Sequence, residues 1–197
     1  MASEYSLENG GGYLEVIFGP MYCGKTTTLI RRLNIFGEMD LDILYVNHSL
    51  DDRSEDEFST HNKSITKLGK IDKSIKSPDL ASILEQAKEY DVIGIDEAQF
   101  FPDLKECVLH MVESMGKKVI VAGLNGDYRR QPFGQIIDLI PYVDELTKLK
   151  PFCSQCAKKR KVCRDALFTK RIVGGDEQIL IGGHDQYVPV CRECYHE

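Results

Sequence analysis

Apolar residues fall in short runs separated by stretches of helical periodicity. Tyr13-Leu14-Glu15-Val16-Ile17-Phe18 reads as a buried strand, after which Leu29, Leu33 and Phe36 recur at the spacing of one helix face. Ile43 to Val46 predicts a second strand, and the very polar segment from Asn47 to Lys63 predicts a long mobile loop. Ser77-Pro78 is expected to open a helix with Leu80, Ile83, Leu84 and Ala87 on one face, leading into the strand Val92-Ile93-Gly94-Ile95. Pro102 opens a further helix whose Leu104, Val108, Met111, Val112 and Met115 follow the 3.6 period, and Gly116 ends it before Val119 to Ala122. Apolar strands alternating with amphipathic helices predict an α/β fold, a parallel sheet with helices on both faces.

Near residue 150 the texture changes to short strands, cysteine pairs and glycine pairs without helical periodicity. The expected organisation is a loose tail over residues 1–12, an α/β domain over 13–150 and a small C-terminal lobe over 151–197. A chain of 197 residues with 42% hydrophobic content can bury one full core and little more. Its net charge of -6 disfavours a nucleic-acid partner, although a local cradle can still hold a small anion. The basic runs Arg129-Arg130 and Lys158-Lys159-Arg160-Lys161 read as solvated loops. There is no apolar stretch of membrane-spanning length and no export signal, so a soluble cytoplasmic chain without a membrane partner is expected.

The candidate chemistry starts at Gly19-Pro20-Met21-Tyr22-Cys23-Gly24-Lys25-Thr26, a Gly-x-x-x-x-Gly-Lys-Thr string lying between a predicted strand and a predicted helix. Such a loop turns backbone N–H groups toward phosphate oxygens; Lys25 reaches the outer phosphates and the Thr26 hydroxyl can ligate Mg²⁺. A second element is Asp96-Glu97, delivered at the end of an apolar strand, where open parallel sheets bind ligands. Asp96 suits a further Mg²⁺ contact. Glu97 suits either a base that takes a proton from an alcohol or a carboxylate that positions water for hydrolysis, and these two residues alone do not choose.

Of seven cysteines, Cys153-x-x-Cys156 and Cys191-x-x-Cys194 form two knuckles separated by 34 residues, the pattern of a structural Cys₄ zinc site. A closed tetrahedron supplies folding energy to a lobe too small for its own core. Disulfide pairing and replacement of one thiolate by His196 are the alternatives. The spacer from Ala157 to Val190 exceeds that of compact zinc ribbons and reads as an insertion able to close over a ligand. Cys23, Cys107 and Cys163 lack partners at ligand spacing and read as buried or incidental thiols.

Taken in order, the phosphate loop, Gly94-Ile95-Asp96-Glu97-Ala98-Gln99-Phe100-Phe101, Phe133-Gly134 and the two cysteine knuckles resemble the zinc-containing thymidine kinase family from about residue 13 to the C-terminus. The resemblance implies a RecA-like core, a zinc-bound lobe whose lasso-like loop covers a nucleoside, a homotetramer and feedback inhibition by thymidine triphosphate. It implies that thymidine, and deoxyuridine with it, is phosphorylated at the 5′-hydroxyl by ATP, with Glu97 as base and with Lys25, Thr26, Thr27 and Asp96 on the phosphates and Mg²⁺. Arg53, in the Asp-x-Arg string starting at Asp51, would steady phosphates or sugar. The nucleoside pocket would draw on Met21, Asp51, Phe100, Leu124, Tyr128, Phe133, Thr169, Arg171 and Tyr187, with the main chain of Gln178, Ile179, Leu180, Ile181 and Gly182 reading the pyrimidine edge. Aromatic walls and backbone polar groups suit a flat, uncharged base. Tyr128, where family members often carry phenylalanine, and Asn125-Gly126-Asp127, in place of Asp-Gly-x, depart from the family pattern.

Overall fold

The computed structural model describes residues 11–51, 70–180, 182–183 and 185–197. Arg53 and Ile181, all but the last two residues of the expected tail, and the polar segment after Asp51 lie outside them. Six strands form one parallel sheet: β1 (Tyr13–Phe18), β2 (Ile43–His48), β3 (Lys73–Ser77), β4 (Val92–Ile95), β5 (Lys118–Gly123) and β6 (Glu145–Lys148), in the order β3-β2-β4-β5-β1-β6. β5 therefore separates β1, which leads into the phosphate loop, from β4, which ends in the acidic pair. This is the RecA-like arrangement.

Helix α1 (Lys25–Gly37) lays Leu29, Ile30, Leu33 and Phe36 on one face of the sheet, against Ile17, Ile43, Tyr45, Val92, Ile120 and Ala122. Leu80, Ile83, Leu104, Val108, Met111 and Leu139 cover the other face. Both faces are thus sealed, as near-continuous apolar strands require. Gly94 lies under α1 because a Cβ there would stand 2.5 Å from Leu33 Cδ1.

Several elements differ from the sequence pattern. Ser77 does not start a helix; it closes β3, whose Lys-Ser-Ile-Lys-Ser sequence is too polar to read as a strand but pairs with β2 at the sheet edge. The helix after Pro78 shrinks to a 3₁₀ turn at Ala81–Ile83 and α2 (Leu84–Ala87). That turn begins at a cap from across the fold, where the Asp103 carboxylate accepts the N–H groups of Leu80 and Ala81 at 3.0 and 2.8 Å. After Pro102, α3 (Leu104–Leu109) widens into a π turn at His110–Ser114, and Gly116, with φ 65°, ends it. Beyond Lys150, β7 (Phe168–Arg171) and β8 (Tyr187–Val190) form an antiparallel pair. A turn at Cys156–Arg160 and α4 (Arg192–His196) accompany them, each too short to show a period. No helix among the described residues is long and apolar enough to cross a membrane.

Candidate active site

The chain between β1 and α1 forms the loop that the glycine spacing predicts. Gly24 caps α1 in the left-handed conformation (φ 82°, ψ 29°), which a residue with a Cβ rarely adopts, although nothing would obstruct the Cβ itself. Gly19 answers a different constraint, since a Cβ there would run into the Leu149 carbonyl. Lys25 is buried and its Nζ donates to the Pro20 carbonyl at 3.0 Å, so the amine is folded back into the loop. The α1 N-terminus leaves backbone donors and a partial positive charge facing the cleft, a setting suited to phosphate. Cys23 sits beside Lys25, and burial pushes its thiol up, away from reactivity.

β4 delivers Asp96 and Glu97 as predicted. Asp96 is fully enclosed: its Oδ2 accepts the Tyr45 hydroxyl at 2.9 Å, its Oδ1 accepts the Glu97 N–H at 2.9 Å, and the Thr26 side chain bonds to it as well. Burial, and then the neighbouring Glu97 charge, push the Asp96 carboxyl up to about 6, against the pull of those hydrogen bonds. A divalent cation would reverse that balance, and the Thr26–Asp96 contact supplies two oxygen ligands of the kind Mg²⁺ takes. Glu97 has φ 49° and ψ 39°, a strained setting for a residue other than glycine, of the sort that clusters at active sites.

One cavity of about 400 Å³ joins the phosphate loop to the acidic strand end. Its walls include Met21, Tyr22, Gly24, Lys25, Thr26, Thr27, Asp51, Glu97, Phe100, Leu124, Tyr128, Phe133, Thr169, Gln178, Ile179, Leu180, Gly182 and Tyr187. Residues scattered across the sequence, from Met21 to Tyr187, therefore share one space of a size suited to a small molecule. Phe100 and Phe133 meet edge to face with centroids 5.6 Å apart. The Thr169 hydroxyl accepts the Met21 N–H at 3.0 Å, tying β7 to the phosphate loop.

Gly19, Pro20, Cys23 and Asp96 are not among the residues that line the cavity. Arg171 is also outside the lining: its guanidinium lies 3.9 Å from the Tyr128 ring centroid, donates to the Tyr187 hydroxyl at 2.7 Å and reaches the Gly175 and Gln178 carbonyls. It thereby ties β7 to the segment from Gly175 to Gln178. The extra hydroxyl of Tyr128 accepts a hydrogen bond from Arg129 Nε at 2.8 Å. Leu50, Gln99, Gly126 and Asp127 also line the cavity; the sequence marks Gln99 as part of the acidic motif and Gly126-Asp127 as a departure from the family pattern, and Leu50 carries no signal. Asp127 accepts the N–H groups of Arg129 and Gln131, both at 2.9 Å, and the Gln178 amide at 3.0 Å. The first two bonds are local Asx-type turn chemistry legible in principle; the third reaches across 51 residues to Gln178 and is purely tertiary.

Cys153, Cys156, Cys191 and Cys194 come together, all buried, with their four Sγ atoms within 4.8 Å of one another. Cys156 Sγ lies 3.8 Å from Cys191 Sγ and 3.6 Å from Cys194 Sγ. A tetrahedral ion with metal–sulfur bonds of about 2.3 Å has edges of about 3.8 Å, so the thiols fit a metal. They are free thiols, and His196 packs on Tyr195 rather than joining the cluster. Among the remaining cysteines Cys107 is buried, its thiol pushed up to about 12 by burial and by Asp103, while Cys163 is exposed. Within the basic run beside the cluster, Arg160 pairs with Glu193 at 2.7 Å and Glu197 at 2.8 Å.

A family model described as thymidine kinase matches residues 12–195. Thymidine kinase 1 of Dictyostelium discoideum is 40% identical over 190 residues, covering 94% of this chain and 78% of that protein. The thymidine kinase of Choristoneura fumiferana entomopoxvirus is 40% identical over 186 residues, covering 93% and 96%. The cytosolic thymidine kinase of Bos taurus is 38% identical over 184 residues, covering 93% and 72%. With a phosphate loop, an acidic strand end and four clustered thiols in one fold, this chain belongs to the thymidine kinase family.

Proposed function

We propose that this chain transfers the γ-phosphoryl group of ATP to the 5′-hydroxyl of thymidine, and of deoxyuridine, in nucleotide salvage. The observation that carries the proposal is the single cavity in which Lys25 and Thr26 of the phosphate loop, Glu97 and the Phe100–Phe133 aromatic pair share walls. In the proposed step Glu97 accepts the 5′-hydroxyl proton while the sugar oxygen bonds to the γ-phosphorus. The bond from that phosphorus to the bridging oxygen breaks, and ADP leaves. Lys25 and the α1 N-terminus hold the phosphates, and Thr26 and Asp96 would hold Mg²⁺, whose charge neutralises the triphosphate when bound. Met21, Leu124, Tyr128 and Thr169 would seat the base, and the main chain of Gln178, Ile179 and Leu180 would read its edge. Arg53 is assigned to phosphates or sugar on family resemblance.

The four cysteines would hold one zinc ion with a structural role, because a closed thiolate tetrahedron leaves no position for water. We take residues 151–197 as the lobe it organises, covering the nucleoside and keeping water from the phosphates. Family membership also supports a cytoplasmic homotetramer inhibited by thymidine triphosphate, testable by scattering and by titrating the triphosphate against the rate.

The test is incubation of the full chain with ATP, Mg²⁺ and each deoxynucleoside in turn. The expected result is ADP release that depends on thymidine, and a fall of about 10²- to 10⁴-fold in Glu97→Gln. Hydrolysis indifferent to nucleosides would overturn the proposal and favour Glu97 as a water-positioning carboxylate.

A further inference from the structure

We propose that Gln99 is a positioning residue for Glu97, locking its carboxylate to the end of β5 so that one edge is presented to the cavity in a fixed direction. The inference rests on the assignment of Glu97 as the base and extends it. Gln99 is 3% exposed and both ends of its amide are engaged. Its Oε1 accepts the Leu124 N–H at 2.8 Å, and its Nε2 donates to Glu97 Oε2 at 2.6 Å. The orientation follows from chemistry: a backbone N–H demands an acceptor on one side, which leaves the NH₂ facing a carboxylate that demands a donor.

Two glycines make room for this amide. A Cβ at Gly123 would stand 2.7 Å from Gln99 Oε1, and one at Gly134, itself at φ 59°, would collide with the Gln99 main-chain carbonyl. The Phe133-Gly134 pair thus serves two ends, the ring lining the cavity and the glycine admitting Gln99. Charge-assisted hydrogen bonds are short and directional, so the Nε2–Oε2 bond restrains rotation about the terminal bond of Glu97. The left-handed backbone at Glu97 fixes the other end of the same side chain. A base must stand within about 3 Å of the proton it takes. A misplacement of about 1 Å costs on the order of 10²-fold in rate.

Gln99 has a second, separable task. Through Leu124 it braces a wall of the cavity, so a variant that loses only the donor behaves differently from one that loses both ends. Gln99→Glu keeps the length and the acceptor for the Leu124 N–H but sets a second carboxylate against Glu97. Steady-state rates with ATP, Mg²⁺ and thymidine, on full chains whose melting temperatures match the parent, are expected to show kcat lower by on the order of 10²-fold. The KM for thymidine should stay within about threefold of the parent, the pattern of an interaction felt in the transition state rather than in binding. Should Gln99→Glu fail to fold, Gln99→Met decides instead, with a similar loss in kcat and a raised KM, since Leu124 then loses its acceptor. A folded variant with kcat within about threefold of the parent, or with its whole loss in KM, overturns the inference. Glu97→Gln run in parallel separates the two assignments. If it retains the parent rate, the base assignment fails; if it is slow while the Gln99 variants match the parent kcat, only the role of Gln99 fails.

Discussion

Beneath α1 the parallel sheet buries Ile17, Ile43, Tyr45, Val92, Ile120 and Ala122, and an even larger apolar set covers its other face. Among the described residues, the apolar cluster around the four cysteines holds Ala166 and Val190 besides the thiols, with Phe168, Val188 and Tyr195 half-covered against them. Full burial of one large aliphatic side chain contributes about 1.5–3 kcal/mol. Ordering each residue costs about 1–2 kcal/mol in backbone entropy alone. Apolar burial can therefore carry the sheet but not the cysteine region, which has to draw its folding energy from elsewhere. Four thiols at tetrahedral spacing could hold a metal ion, and the zinc proposed for them would be that source. With that zinc bound, the two regions would depend on different variables, side-chain volume in one and metal activity in the other.

The strongest way to break that contrast is to remove the metal. Chelation, or Cys153→Ser combined with Cys191→Ser, should abolish a stabilisation of about 10–16 kcal/mol, the apparent range for thiolate zinc sites in small folds. The expected outcome is rapid proteolysis within residues 151–197 while the 13–150 fragment survives. Elemental analysis of freshly purified parent protein should find one zinc per chain, and its absence would refute the assignment. In the opposite direction, Leu33→Ala deletes a fully buried side chain seated against Gly94 and should cost about 2–5 kcal/mol in urea unfolding, with zinc content unchanged. Loss of zinc from that variant would show that the regions unfold as one unit. The smallest effect belongs to the joint between them. Thr169→Val removes the acceptor for the Met21 N–H and should cost about 1–3 kcal/mol or less, read as raised KM values for both substrates with the melting of the sheet little altered.

The same division governs what could be read from the sequence. The phosphate loop, the Asp96-Glu97 pair and the cysteine knuckles were legible because each is a local device, set by a turn, a strand end or a two-residue spacer. β3 and β6 were not, because Lys73–Ser77 and Glu145–Lys148 lie at the edges of the sheet, where exposed polar residues are tolerated and no apolar run marks the strand. The helix expected from Ser77 was curtailed by an interaction absent from its own segment, the Asp103 cap. Arg171, assigned to the nucleoside pocket by resemblance, stacks on the Tyr128 ring, a contact decided by how β7 packs beside the loop after β5.

By itself the sequence determined which chemistry is available: phosphate-facing amides, a carboxylate at a strand terminus, and thiolates in pairs. It also determined an α/β core, since hydrophobic periodicity is a property of neighbours in the chain. Only the tertiary structure decided that Gln99 meets Leu124 across 25 positions, that Asp127 holds Gln178 across 51, and that Thr169 reaches Met21 across 148. Those bonds depend on strand order and register, which are settled by burying two faces of one sheet at once rather than by any local preference.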